Sequence, residues 1–149
     1  MALWDEFIED LEQHVRDTSK ELASQGYRIS EASPYSEEVV YQFDTEHYQV
    51  ELVRHPSELW YLEYDETLNL CQEILHQGIH YADFFAQVKD RETGMVLGDS
   101  YCGFVTYANG DKTFDGIRQS LIREAIEATR GQSGLIARQA KLMHKHLLA

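Results

Sequence analysis

Glu38-Val39-Val40-Tyr41-Gln42-Phe43-Asp44, followed by His47-Tyr48-Gln49-Val50-Glu51-Leu52-Val53-Arg54, is the stretch that decides the fold. Val39, Tyr41 and Phe43 alternate with their neighbours, and the second run repeats the alternation after a short break at Thr45-Glu46. A two-residue period places successive side chains on opposite faces of a pleated strand, so both runs are predicted strands. Short turns between such runs make an antiparallel meander. His55-Pro56-Ser57-Glu58 reads as the next turn, because proline fixes φ and removes a ladder donor. Leu59-Trp60-Tyr61-Leu62-Glu63-Tyr64 is predicted as a third strand.

Upstream, the period is helical. Leu3, Phe7, Ile8, Leu11, Val15 and Leu22 recur at three-, four- and seven-residue steps, predicting an amphipathic helix over about 3–25. Asp5, Glu6, Glu9, Asp10 and Glu12 crowd its first half, where the helix dipole favours negative charge, and Gly26 is the expected stop. Downstream, Asp65 is the expected N-cap of a second helix with Leu68, Cys71, Ile74 and Leu75 on one side and Gly78 at its end. Residues 82–90 and 95–107 read as a hairpin turning at Arg91-Glu92-Thr93-Gly94. Gly98 and Gly103 in the return strand signal a bulge or a close backbone approach. A third helix is expected from Thr113 or Asp115 to Arg130. Gly131 and Gly134 are expected to break it before a last, basic helix at about 135–148. The order is α-β-β-β-α-β-β-α-α, an α+β fold with an antiparallel sheet of about five strands. At 149 residues with 43% hydrophobic content, one domain over 1–149 is expected.

Charge narrows the function classes. The net charge is −13, and its distribution is uneven: residues 1–110 hold 22 acidic against 6 basic side chains, whereas residues 111–149 hold 4 against 7. A body with this excess of carboxylates repels phosphates, so direct DNA or RNA binding is not expected. No run approaches the roughly 20 apolar residues of a membrane helix. The first residues lack a signal-peptide pattern, and two cysteines form no disulfide framework. A soluble, cytoplasmic protein without membrane contact is expected.

Motifs for chemistry are sparse. His76, His80 and Asp83 have ligand-type spacing with Cys71 nearby, but Gly78 should end the helix between the imidazoles, and no metal is assigned. His144 and His146 would point to different sides of a helix. Cys102 in a strand reads as a small buried hydrophobe more readily than as a nucleophile, since no histidine is placed beside it. Gly94, Gly98 and Gly103 do not form a phosphate loop, which needs a Lys-Ser/Thr ending. Neither catalytic residues nor a cofactor are assigned. Among the nine Tyr and two Trp, Phe43 and Trp60 are expected to pack under helices, while Tyr48 and Tyr61 could serve an interface.

Phe84-Phe85-Ala86-Gln87-Val88, Gly94, the stretch Leu97-Gly98-Asp99-Ser100-Tyr101-Cys102-Gly103-Phe104, and the helix with Ile122-Arg123-Glu124-Ala125-Ile126-Glu127-Ala128 resemble small phage- and plasmid-encoded proteins of the anti-defence type. The resemblance spans residues 84–128 and implies origin as a mobile-element accessory gene. Such genes often encode inhibitors of restriction or CRISPR systems. It transfers no functional residues. Separately, the element order, size and acidity are similar to class I type III secretion chaperones, dimers that wrap an effector segment over apolar surface. The basic helix at 135–148 departs from that pattern.

The expected function is therefore a non-enzymatic acidic binding protein that mimics nucleic acid toward a protein with a basic surface, such as a host defence complex. Glu6, Glu9, Asp10, Glu12 and Asp17 on the first helix, with Glu37, Glu38 and Glu46 near the sheet, are the carboxylates expected to stand in for phosphates. The alternative is a secretion-chaperone-like adaptor binding a protein segment through apolar surface, with which a homodimer is compatible.

Overall fold

The computed structural model describes residues 2–58 and 62–148, the side chains of 133–141 and 143–148 excepted. The elements are α1 (Ala2–Glu31), β1 (Glu38–Asp44), β2 (Tyr48–His55), α2 (Tyr64–Gln77), β3 (Ile79–Asp90), β4 (Val96–Ala108) and α3 (Ile117–Leu148). The four strands form one antiparallel sheet in the order β1-β2-β3-β4. This is an α+β fold.

Alternation along the strands separates two faces. Val50, Leu52, Ala82, Phe84, Ala86, Val88, Val105 and Tyr107 form the main core, which α3 closes with Leu121 and Ala125. Phe43 and Cys102 pack against it from the sheet. Phe114, in the loop before α3, drops its ring into the same core 4.7 Å from Phe84 and 5.1 Å from Tyr107. Burying a ring of this size removes a large apolar area from water. A smaller cluster of Ala32, Leu70 and Ile74, joined by Ile29, Leu62, Tyr81 and Phe104, fixes α2 and the end of α1. The Tyr81 N–H donates to the Ala32 carbonyl at 2.9 Å, tying the end of α1 to the start of β3.

The hairpin β3–β4 carries two register shifts, opposite Asp83 and near Gly98. At the first, Phe104 adopts φ 50°, a left-handed backbone that costs an ordinary residue roughly 1–2 kcal/mol. Asp83 holds it there: one carboxylate oxygen accepts the Phe104 N–H at 2.7 Å and the other accepts the Tyr101 hydroxyl at 2.8 Å. At the second, α3 approaches the strand so closely that Gly98 is buried against Thr129.

Several sequence expectations are corrected. Helix α1 runs through Gly26 to Glu31, because the apolar contacts of Ile29 and Ala32 with α2 outweigh the roughly 1 kcal/mol cost of a helical glycine. Likewise α3 is one continuous helix to Leu148; Gly131 and Gly134 do not break it, so there is no separate helix at 135–148. Without proline, two glycines lower helix propensity but remove no backbone donor. Among the described residues the sheet has four strands. Of the expected third strand, Leu62 and Glu63 lie in an irregular segment and Tyr64 opens α2, while Leu59, Trp60 and Tyr61 lie outside the described residues. The α2 N-cap is Glu63, with no side-chain cap bond, and Asp65 sits in the first turn instead. Gly78 does end α2, at φ 65° with its N–H on the Ile74 carbonyl.

Candidate protein-binding surface

Helix α1 is long, exposed and anchored at one end. Thirty residues at 1.5 Å each span about 45 Å. None of them is buried, and the described packing partner is α2, reached through Ile29 and through the Arg28 guanidinium, which donates to the Leu75 carbonyl. The amino-terminal four-fifths of the helix therefore stands in solvent with its apolar stripe uncovered: Trp4 is 64% exposed, Leu11 47% and Leu22 63%. Contiguous apolar surface of this extent marks an interaction site in a folded protein.

The carboxylates sort around that stripe by helical angle. At 100° per residue, Glu6, Asp10 and Asp17 fall in one row and Glu9 beside them, on the side of α1 facing away from Leu11, Val15 and Leu22. Glu12, with Asp5, borders the stripe on its other flank. Asp17 accepts a hydrogen bond from the Gln13 amide at 2.8 Å, and Gln13 in turn accepts one from Arg16 at 3.0 Å. Glu6, Glu9 and Asp10 of the outward face have no ion-pair or hydrogen-bond partner among the described residues.

The three other expected carboxylates are elsewhere. Glu38 begins β1 and is ion-paired with Arg54. Glu37 lies 3.5 Å from the His55 ring. Glu46, in the turn between β1 and β2, is 3.9 Å from its neighbour His47. The structure thus gathers Glu6, Glu9, Asp10, Glu12 and Asp17 on one helix and does not bring Glu37, Glu38 or Glu46 to it. Glu38 is part of an internal network instead. Burial opposes the Arg54 charge, but the Glu38 carboxylate and the Tyr107 hydroxyl, 3.0 Å away, leave the guanidinium above its ordinary pKa. Arg54 lines a polar hollow of about 310 Å³ with His80, Lys112 and Asp111.

The histidine spacing does not converge. His76 is exposed in the last turn of α2, whereas His80 stacks on Tyr107 at 5.9 Å on the α3 side of the sheet. Asp83 is on the opposite face and is taken up by the bulge at Phe104. Among the described residues no cluster of three metal-ligating side chains occurs. Cys102 pairs with Phe84 in register and, partly buried rather than fully buried, packs against the core. No helix among the described residues is long and apolar enough to cross a membrane.

Sequence reasoning missed a second feature, an apolar groove of about 490 Å³ where the turn end of the β1–β2 hairpin meets α3. Phe43, Thr45, Tyr48, Val50, Val88, Ile126, Thr129 and Arg130 line it. It arises from the crossing of α3 over the sheet, which no local pattern encodes. In comparisons with known proteins, no family model, curated protein or solved structure matches this chain.

Proposed function

We propose that this protein is a non-enzymatic acidic binding protein whose first helix offers carboxylates to a basic protein surface in place of nucleic-acid phosphates. The observation that carries the reading is the outward row on α1: Glu6, Glu9, Asp10 and Asp17, exposed together on a helix that stands clear of the sheet. Exposed like charges on a rigid rod raise the rate at which a basic groove is found and suppress wrong partners. The resemblance over residues 84–128 to phage- and plasmid-encoded proteins narrows the partner class to a nucleic-acid-handling defence complex, of the restriction or CRISPR kind. Glu12 borders the row, while Glu37, Glu38 and Glu46 are left out of the binding face, the first two being tied to His55 and Arg54.

The test is capture of partners from nuclease-treated bacterial lysate, washed at low and high salt, followed by competition with duplex DNA. A nucleic-acid-handling partner that leaves at high salt, is displaced by DNA and is not retained by the Glu6→Lys/Glu9→Lys/Asp10→Lys variant supports the reading, since exposed charges are screened within a Debye length of about 8–10 Å. Full retention by that variant removes it. The apolar groove beside Phe43 and Ile126 favours one second reading, a chaperone-like adaptor holding a protein segment. That partner would stay bound through the high-salt wash and would not compete with DNA.

A further inference from the structure

The carboxylates occupy only one side of α1, and the other side carries its own pattern. Trp4, Ile8, Leu11, Val15, Thr18, Leu22, Gln25 and Ile29 follow one another at alternating steps of four and three residues. A repeat of 3.5 residues is the spacing of a coiled-coil seam, in which each apolar knob enters a hole on a facing helix. The seam is exposed at Trp4, Leu11, Val15, Thr18 and Leu22, with Ile8 half-buried, and among the described residues α2 meets it at Ile29. An isolated helix with this much apolar surface in water is marginal, and its stability must come from something packed on that stripe.

We infer that the seam is covered by α1 of a second copy running antiparallel. Charge selects the orientation. Residues 2–15 carry five acidic and no Lys or Arg side chains, whereas residues 16–31 carry three of each sign. A parallel pair would lay the two acidic halves side by side. The antiparallel pair lays each against a half of zero net charge. It also sets Leu11 against Leu22 of the second copy, Val15 against Thr18, and Trp4 beside Ile29 where α2 ends the stripe. On the flanks Glu12 then meets Ser19 and Asp5 meets Gly26, while His14 meets Glu21 and Phe7 meets Arg28. No like charges oppose one another across this register, and the last two contacts are attractive. The row of Glu6, Glu9, Asp10 and Asp17 faces away from the joint, so a dimer doubles the outward carboxylates and leaves the proposed function intact.

Sedimentation equilibrium of the purified chain tests association without any other partner. The expected mass is twice 17.3 kDa at micromolar concentration, falling to the monomer in Leu11→Asp/Leu22→Asp. A monomeric wild-type chain overturns the inference while leaving the lysate capture untouched. Orientation is read by cross-linking, in a Cys71→Ala/Cys102→Ala background. Leu11→Cys and Leu22→Cys chains should form a disulfide dimer when mixed and little when oxidised alone. Self-linking of Leu11→Cys chains, or a dimer that survives Leu11→Asp/Leu22→Asp, overturns the antiparallel seam; the latter places the contact elsewhere, such as on the basic half of α3 or the groove beside Phe43.

Discussion

The side chain of Thr129 stands where a side chain on Gly98 would have to be: a Cβ added to Gly98 would lie 2.3 Å from the Thr129 Oγ1, 2.6 Å from its N and 2.7 Å from the Ala125 carbonyl oxygen. Two of these three neighbours are helix backbone, so α3 itself would have to move away from β4. Gly98→Ala is therefore expected to destabilise the fold by about 1–3 kcal/mol through overpacking, measured as a lower denaturant midpoint. Adding Thr129→Ala should recover only part of the loss, because the backbone contacts remain.

Asp83 has a structural charge. Its two oxygens hold the Phe104 N–H and the Tyr101 hydroxyl across the bulge. Hydrogen bonds to a charged acceptor contribute about 1.5–3 kcal/mol each when buried, and partial exposure here lowers that. Asp83→Ala should cost about 2 kcal/mol in chemical denaturation, and Asp83→Asn should cost less, since an amide oxygen can keep one of the two bonds. Equal stability of Asp83→Ala and wild type would show that Phe104 holds its backbone without help.

Acid should act at Asp111. Its carboxylate accepts from the Thr113 hydroxyl at 2.7 Å, the Thr113 N–H at 2.9 Å and the Asp115 N–H at 3.0 Å, and these bonds hold its pKa below the ordinary aspartate value. A carboxyl depressed in the folded state contributes stability above its unfolded pKa of about 3.9, and that contribution disappears as pH falls through the lower folded value. Wild type should thus melt above Asp111→Ala at neutral pH, with the two curves converging as pH falls through the depressed folded value. A gap that widens in acid would contradict the sign.

Continuity of α3 through Gly131 makes a prediction of opposite sign. A Cβ at Gly131 would meet nothing within 4 Å. Gly131→Ala should raise helix content at 222 nm and stabilise by about 0.5–1 kcal/mol, because alanine has less backbone freedom to lose. Gly131→Pro should instead cut the helix, with a loss of ellipticity. A helix broken at this point in the wild type would show no gain from alanine.

The strands and the chain reversals were legible because the period-two runs at 38–44 and 82–90 and the glycine at position 78 are local signals with one physical meaning each. Gly98 was legible as a close approach, though only the structure names Thr129 as the neighbour. Helix ends were not: Gly26 looks like a stop until Ile29 and Ala32 are seen docked on α2, a contact between residues about forty apart in the chain, and Gly131 looks like one although, with no proline beside it, it removes no backbone donor from α3. The acidic row on α1 could be read from helical angles, and the five residues expected there do share the helix. Glu37, Glu38 and Glu46 could not be sorted from it, since pairing with Arg54 or His55 depends on strand register. The groove beside Phe43 needs the crossing of α3 over the sheet and has no local signature at all.

The insertion of α2 between two neighbouring strands sets an order for how the sheet is made. β3 and β4 are joined by residues 91–95, whereas β2 reaches its neighbour β3 only across residues 56–78. Closing the longer connection as flexible chain costs about 1.4 kcal/mol more entropy than closing the shorter one. Both hairpins close over short turns, residues 45–47 and 91–95, but only β3–β4 is followed directly by the helix that covers it, so β3–β4 with α3 is the expected nucleus, and the β1–β2 hairpin docks on it later, once a helical α2 has shortened the span between them. Slowing of refolding should accordingly concentrate in substitutions at the crossing of Gly98 and Thr129, and acceleration of unfolding in those at Val50 and Phe43.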